Sequence, residues 1–153
     1  MCKEMTITTI EKIFPDYFDR FEMPEGAREE SITVYRACKT GKCDEASFIP
    51  SFEENGYKVN PPSEEKDPGQ YSLSTYEKPK DIKRFVKINS EYSVPYKIAI
   101  GQTVPEFGKI QRTRERTGGK SSHVDWWLYK DAKPHTVFEL IEDFEEYLKN
   151  YNH

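Results

Sequence analysis

The segment SSHVDWWLYK, residues 121–130, contains an imidazole, a carboxylate and both tryptophans of the chain. Successive side chains of an extended strand point to opposite faces, so His123, Asp125 and Trp127 share one face. An aspartate beside a histidine can orient the ring or stabilise its charge, as in a general acid/base or a contact to a ligand ribose. Trp127 would then be an aromatic wall for a flat ligand. The alternative is a polar strand face whose aromatic residues only pack in the core.

A single arginine, Arg36, interrupts the apolar stretch ITVYRAC. Burying a guanidinium is costly unless a carboxylate or a phosphate binds it. One interpretation is an anchor that binds a ligand phosphate or carboxylate through both arms of the guanidinium. The other is an exposed strand face, or an ion pair with a glutamate inside the protein.

Hydroxyl groups cluster in YSLST, directly before a predicted helix. Tyr71, Ser72 and Ser74 stand where a strand ends, and their hydroxyl groups can orient neighbouring groups across the strand edge. Ser74 or Thr75 can instead cap the helix that follows.

The connection between two later strand candidates, residues 109–120, is strongly basic. Its cationic residues are Lys109, Arg112, Arg114, Arg116 and Lys120, and only Glu115 opposes them. In a chain of net charge −4, such a patch can contact a phosphate-bearing partner. A solvated hairpin rim is the alternative. The hairpin contains no aromatic residue, so it does not itself predict a base-stacking platform.

Composition and missing motifs limit the classes of function. One third of the residues are charged and the net charge is small, which argues against a surface that binds nucleic acid or anionic lipid all over. We expect a cytoplasmic protein with no membrane partner, because apolar runs of membrane-span or signal-peptide length are missing. The chain has three cysteines and three histidines without metal-ligand spacing, so we expect no metal. It also has no phosphate-binding glycine motif.

The pattern of elements predicts a single α+β domain over residues 1–153, with a mostly antiparallel sheet and N-terminal, middle and C-terminal helices. Apolar spacing from Ile10 to Phe21 predicts a helix that Pro15 kinks or splits. A long, proline-containing loop at 51–70 either covers a site or is a mobile insertion. Thr136 and Glu139 form a capping-box pattern, which predicts that the last helix begins there. Strands are predicted at about 32–38, 70–75, 96–101, 107–113 and 123–129, and a helix from Pro79.

The order of these elements resembles the ADP-ribosyltransferase superfamily, in its arginine–serine–glutamate branch. Its members place an arginine on an early strand, then an aromatic residue and a Ser-Thr-Ser element before a helix. A catalytic glutamate follows on a late strand or in the preceding loop. Here VYRA matches the first element through Arg36, and YSLST matches the second. The carboxylate is either Glu115 in TRERT or Asp125 in HVDWW, and the resemblance covers about residues 31–130.

The resemblance implies an NAD-dependent ADP-ribosyltransferase or NAD glycohydrolase with an intracellular target. NAD would be its substrate, and the carboxylate would stabilise the oxocarbenium-like ribosyl centre as nicotinamide leaves. The predicted NAD-binding residues are Arg36, Tyr71, Ser72, Ser74 and Trp127. The basic loop would touch a protein or nucleic-acid acceptor. Two alternatives remain open, namely a protein-binding module without enzymatic activity and a nucleic-acid-binding domain that uses residues 109–120.

Overall fold

The protein folds around one six-stranded, fully antiparallel sheet in a computed structural model that describes residues 11–90 and 96–151. The strands are β1 (Thr33–Cys38), β2 (Leu73–Tyr76), β3 (Lys97–Gln102), β4 (Gly108–Arg112), β5 (His123–Leu128) and β6 (Phe138–Leu140). Their order across the sheet is β4-β5-β2-β1-β3-β6. The prediction of an α+β domain with a mostly antiparallel sheet is confirmed.

Four α-helices accompany the sheet within the described residues. They are α1 (Ser51–Glu54), α2 (Pro79–Asn89), α3 (Arg114–Thr117) and α4 (Phe144–Tyr151). Pro79 occupies the first turn of α2, where backbone N–H groups have no acceptor within the helix, so a proline without an N–H loses no hydrogen bond there. No helix of the described ranges has the length and apolar character needed to cross a membrane.

The two faces of the sheet bury different cores. The first face carries an aliphatic and aromatic core that includes Val34, Leu73, Val124, Trp126 and Phe138. Helices α2 and α4 pack on the second face, where Tyr35, Ala37, Ile82 and Ile98 are buried. Beside these helices, Phe21, Phe52, Tyr71 and Trp127 form a separate aromatic cluster. The side chains of β5 therefore alternate between two packed layers, which accounts for its near-complete burial.

The N-terminal apolar pattern forms a shorter element than its spacing predicts. A 3₁₀ helix covers Asp16–Arg20 directly after Pro15, so a helical segment does begin at the proline. Phe14, Tyr17 and Phe18 pack against the aromatic cluster, while Ile10 lies outside the described residues.

The segment 51–70 is built from short helical turns instead of one irregular loop. It contains α1 and the 3₁₀ turn Pro62–Glu64, and a further turn covers Pro68–Tyr71. Phe52 at its start and Tyr71 just after it are buried against each other, with ring centroids 4.9 Å apart. The segment therefore closes the aromatic cluster at one end of the sheet.

The predicted start of the C-terminal helix is wrong. Residues Phe138–Leu140 form β6, which pairs with β3 and is itself the edge strand of the sheet, and the helix begins only at Phe144. Its cap is Asp143, whose Oδ1 accepts a hydrogen bond from the Glu146 N–H at 3.0 Å. By pairing with β3, residues 138–140 satisfy backbone N–H and C=O groups of β3 that would otherwise be unpaired. This tertiary contact overrides the local helix pattern.

Candidate functional site

Asp125 is the centre of a buried polar network on the second face of the sheet. Its side chain is fully buried, and Oδ1 accepts a hydrogen bond from Ser72 Oγ at 2.6 Å. Oδ2 accepts from Thr113 Oγ1 at 2.7 Å and from Arg116 Nη2 at 2.9 Å. A carboxylate in this position is stabilised by two hydroxyl groups and one guanidinium, so its charge is balanced inside the protein.

His123 joins this network through Thr113 and not through Asp125 itself. Its Nδ1 lies 2.6 Å from Thr113 Oγ1 and 4.0 Å from Asp125 Oδ1. Because the threonine hydroxyl donates to the carboxylate, its oxygen accepts the Nδ1 proton, which leaves Nε2 as the unprotonated nitrogen. Burial lowers the pKa of His123, and the opposing effect of Asp125 is smaller. The buried position therefore favours the neutral imidazole, whose ring is edge-on to Tyr76.

Arg36 is held by backbone carbonyl groups on the first face of the sheet. Its Nε donates to Ser47 O at 3.0 Å, and Nη1 donates to Ser74 O at 2.9 Å. The guanidinium carbon lies 5.9 Å from the centre of the Phe48 ring. The residue is only 7% exposed and forms no ion pair with any described residue. Its hydrogen bonds connect β1 to β2 and to the 3₁₀ turn Glu45–Ser47.

The structure brings Ser72, His123 and Asp125 into one network but does not bring Arg36 to it. Arg36 shares its face of β1 with Val34 and Cys38, which belong to the first core, whereas Asp125 points to the opposite face of the sheet. Ser72 contacts Asp125, and Ser74 contacts Arg36 only through its carbonyl group. The structure thus separates the predicted phosphate anchor from the predicted acid. The NAD-dependent activity itself stays a prediction.

The two aromatic candidates, Tyr71 and Trp127, are both fully buried in the aromatic cluster. Trp127 Nε1 donates to Pro68 O at 2.9 Å, and the Tyr71 hydroxyl donates to Glu65 O. Both rings therefore pack the segment 51–70 onto the sheet, and neither forms an open wall beside the Asp125 network.

The remaining candidate, Glu115, is exposed on α3 and engaged by Arg28. Two hydrogen bonds of 3.1 and 3.0 Å join its carboxylate to the guanidinium, which lowers the pKa of Glu115. Its role as a catalytic acid remains a prediction. Across residues 11–90 and 96–151, no three His, Cys, Asp or Glu side chains are grouped to hold a metal ion.

Two adjoining grooves lie where β2 runs into α2. The helix groove has a volume of about 400 Å³ and is lined by Tyr76, Asp81, Arg84, Phe85, Ile88, Asn89, Lys120 and Ser121. The charged groove has a volume of about 680 Å³ and is lined by Glu77, Lys78, Arg112, Arg114, Glu115, Lys120 and Ser122. Lys120 lines both grooves. The β4–β5 connection is attached to the start of α2 because the Lys78 N–H donates to Ser122 Oγ, and Ser122 N–H donates to Asp81.

Each carboxylate of the two grooves already has a partner. Arg112 binds Glu77 through two hydrogen bonds of 2.7 and 3.1 Å, Arg28 binds Glu115, and Asp81 accepts from Ser122 N–H. Several exposed cations nearby form no ion pair within the part of the chain that the structure describes. We call them the basic surface: Lys78, Lys80, Arg84, Lys87 and Lys120.

Sequence reasoning identified only one of the five residues of this surface. It assigned the basic patch to the hairpin 109–120, of which Lys120 belongs to the basic surface, whereas Arg116 turns inward to Asp125. Three of the other four lie on α2, where Lys80, Arg84 and Lys87 have i, i+4, i+7 spacing and so share one side of the helix. The spacing of these three residues could have indicated a basic side of α2. Sequence alone does not show that α2 lies beside the hairpin, because that contact is tertiary.

The comparisons with known proteins give no independent indication of function. A scan of the chain against protein-family models found no match, and searches of curated proteins and of solved structures found none either. The assignment of a function therefore depends on the geometry and charge of the grooves.

Proposed function

We propose that the protein binds nucleic acid, with the basic surface contacting the phosphate backbone. The observation that carries this proposal is the position of Lys120, which lines both grooves and so joins the cations of the hairpin to those of α2. A phosphate chain needs such a series of cations, whereas a single anionic group needs only one.

The charge distribution supports a backbone ligand over a buried anion. All five cations of the basic surface are exposed, and none forms an ion pair within the described ranges. The chain as a whole has net charge −4, so these cations form a local positive surface on an otherwise acidic protein. Such a surface steers a polyanion to one side of the molecule.

The NAD-dependent transferase remains the alternative that the sequence resemblance implies. That function needs Arg36 and a carboxylate in one site, and Asp125 does not meet this requirement because Arg36 and Asp125 occupy opposite faces of the sheet. No observation on the described residues favours transferase activity over nucleic-acid binding, so nucleic-acid binding is the function that we propose.

The test is equilibrium binding of short fluorescently labelled oligonucleotides, followed by anisotropy over a series of salt concentrations. Five phosphate contacts on a single strand give a slope of about −3.5 in a plot of log K against log salt. Affinity should then fall about a hundredfold between about 50 and 200 mM salt. Absence of binding to every oligonucleotide at low salt would overturn the proposal.

Charge-reversal variants locate the binding surface. Lys120→Glu and Arg84→Glu should each lower the affinity by about tenfold and make the salt slope shallower. Lys58→Glu is the matched control, because Lys58 is also an exposed lysine without an ion pair among the described residues but lies in the segment 51–70. An equal loss of affinity in the control would show that only the net charge matters, which contradicts the proposed surface.

A further inference from the structure

The helix groove differs from the charged groove in having an apolar, aromatic floor. The ring centroids of Tyr76 and Phe85 lie 5.9 Å apart, the ring planes are inclined by 43°, and each side chain is half-buried. Ile88 extends this floor and is 68% exposed. An aromatic floor of this kind offers a stacking surface for a flat ring.

Polar groups also line this groove. Arg84 and Lys120 contribute positive charge at the rim of the groove. Asn89 donates its Nδ2–H to the Phe85 carbonyl at 2.8 Å, which directs the amide and leaves its oxygen as an acceptor. The groove therefore combines aromatic rings, two cations and a hydrogen-bond acceptor, and its one carboxylate, Asp81, already accepts a hydrogen bond from the Ser122 N–H. A ligand that satisfies all of these has a flat, polar-edged ring linked to phosphate.

We infer that the helix groove takes an unpaired base and that the substrate class is single-stranded nucleic acid. This inference rests on the proposed function. The base would stack on one of the two inclined rings of Tyr76 and Phe85, with its edge against the other, and the adjoining phosphates would pass Lys120 into the charged groove. A base inside a duplex has both faces covered by its neighbours and cannot enter such a groove.

The contrast between the grooves explains why both are needed. The charged groove is lined only by charged side chains and Ser122, so it can hold phosphate but offers no surface to a base. The helix groove supplies that surface next to the shared lysine. Stacking on an aromatic side chain commonly contributes about tenfold or more to the affinity for each base.

The first measurement uses a short single strand that carries the fluorescent base 2-aminopurine, because stacking on an aromatic ring quenches its emission. The wild-type protein should quench this emission on binding and should prefer the single strand to a duplex of the same sequence by about tenfold or more. Equal affinity for the duplex, or salt-dependent binding without quenching, would overturn the inference and leave the proposed function standing. Failure of both strands to bind at low salt would instead reject the proposed function.

Three variants assign the effect to the groove. Phe85→Leu and Ile88→Ala should each weaken single-strand binding several-fold and reduce the quenching, with an unchanged salt slope, because neither alters a charge. Ile88 is largely exposed, so its variant reports on binding even if Phe85→Leu disturbs packing. Tyr151→Leu removes an exposed aromatic ring outside the groove and should leave binding unchanged. Unchanged quenching in both groove variants would refute the stacking site.

Discussion

Arg116 donates from Nη2 to Oδ2 of Asp125 at 2.9 Å, and the carboxylate that receives this bond is fully buried. The same guanidinium donates from Nη1 to Gln111 Oε1 at 2.7 Å and lies 5.7 Å from the Trp127 ring. One cation of the basic hairpin is therefore an internal counter-ion. Arg116 thereby fixes the segment between β4 and β5 to the sheet and to the aromatic cluster.

Replacing Arg116 should destabilise the fold strongly. Arg116→Met leaves the Asp125 charge buried without a counter-ion, and we expect the free energy of unfolding to fall by about 3–5 kcal/mol in urea titrations. Arg114→Met is the matched control and should change it by less than about 1 kcal/mol, because Arg114 is exposed. Adding Asp125→Asn to Arg116→Met should recover part of the loss. A double variant no more stable than the single one would contradict this electrostatic explanation.

Arg36 should prove to be a structural residue. Its two hydrogen bonds reach carbonyl groups on different segments, and a lysine has no planar fork with which to reach both. Arg36→Lys should therefore lower the free energy of unfolding by about 1–3 kcal/mol, because a buried carbonyl loses its partner. Affinity for oligonucleotides, measured on the folded variant, should not change. A large loss of affinity with normal stability would show instead that Arg36 binds the ligand.

Much of the sheet can be predicted from local pattern, because alternation is a property of each strand alone. The β5 pattern correctly places His123, Asp125 and Trp127 on one face, and the apolar stretch around Arg36 is a strand. Alternation does not reveal what covers each face. The sequence could not show that Arg36 and Asp125 face opposite layers, since this depends on the order and register of the strands.

The candidate site was harder to predict because its contacts connect distant segments. Thr113 stands between His123 and Asp125 only because the β4–β5 connection folds back over the start of β5. Likewise, Lys120 joins the two grooves because Ser122 is bonded to the first turn of α2. At the C-terminus, the helix pattern at Thr136 failed because a three-residue strand has too few alternations to be recognised.

The two tryptophans should differ in their tolerance of phenylalanine. Both side chains are fully buried, but Trp127 Nε1 donates to Pro68 O, whereas Trp126 Nε1 has no hydrogen-bond partner within the described residues. Trp127→Phe should therefore cost about 1–2 kcal/mol more stability than Trp126→Phe, since it also leaves a carbonyl unpaired. Denaturant titration followed by circular dichroism compares the two variants directly. Equal losses would show that volume alone determines the cost.

His123 should make the stability of the protein depend on pH on the acidic side of neutrality. Burial lowers its pKa in the folded state below its ordinary value of 6.5, so the unfolded chain binds more protons between these two values. Stability then rises with pH across this window, and the contribution is lost as the pH falls from about 6.5 through the folded-state pKa. Comparing wild type with His123→Gln from about pH 7.5 to about pH 5 isolates this contribution, because other groups titrate in both proteins. The stability advantage of the wild type should shrink as the pH falls, by at most about 1.4 kcal/mol per pH unit. A difference that is constant over this range would show that the imidazole is as easily protonated in the fold as in the unfolded chain.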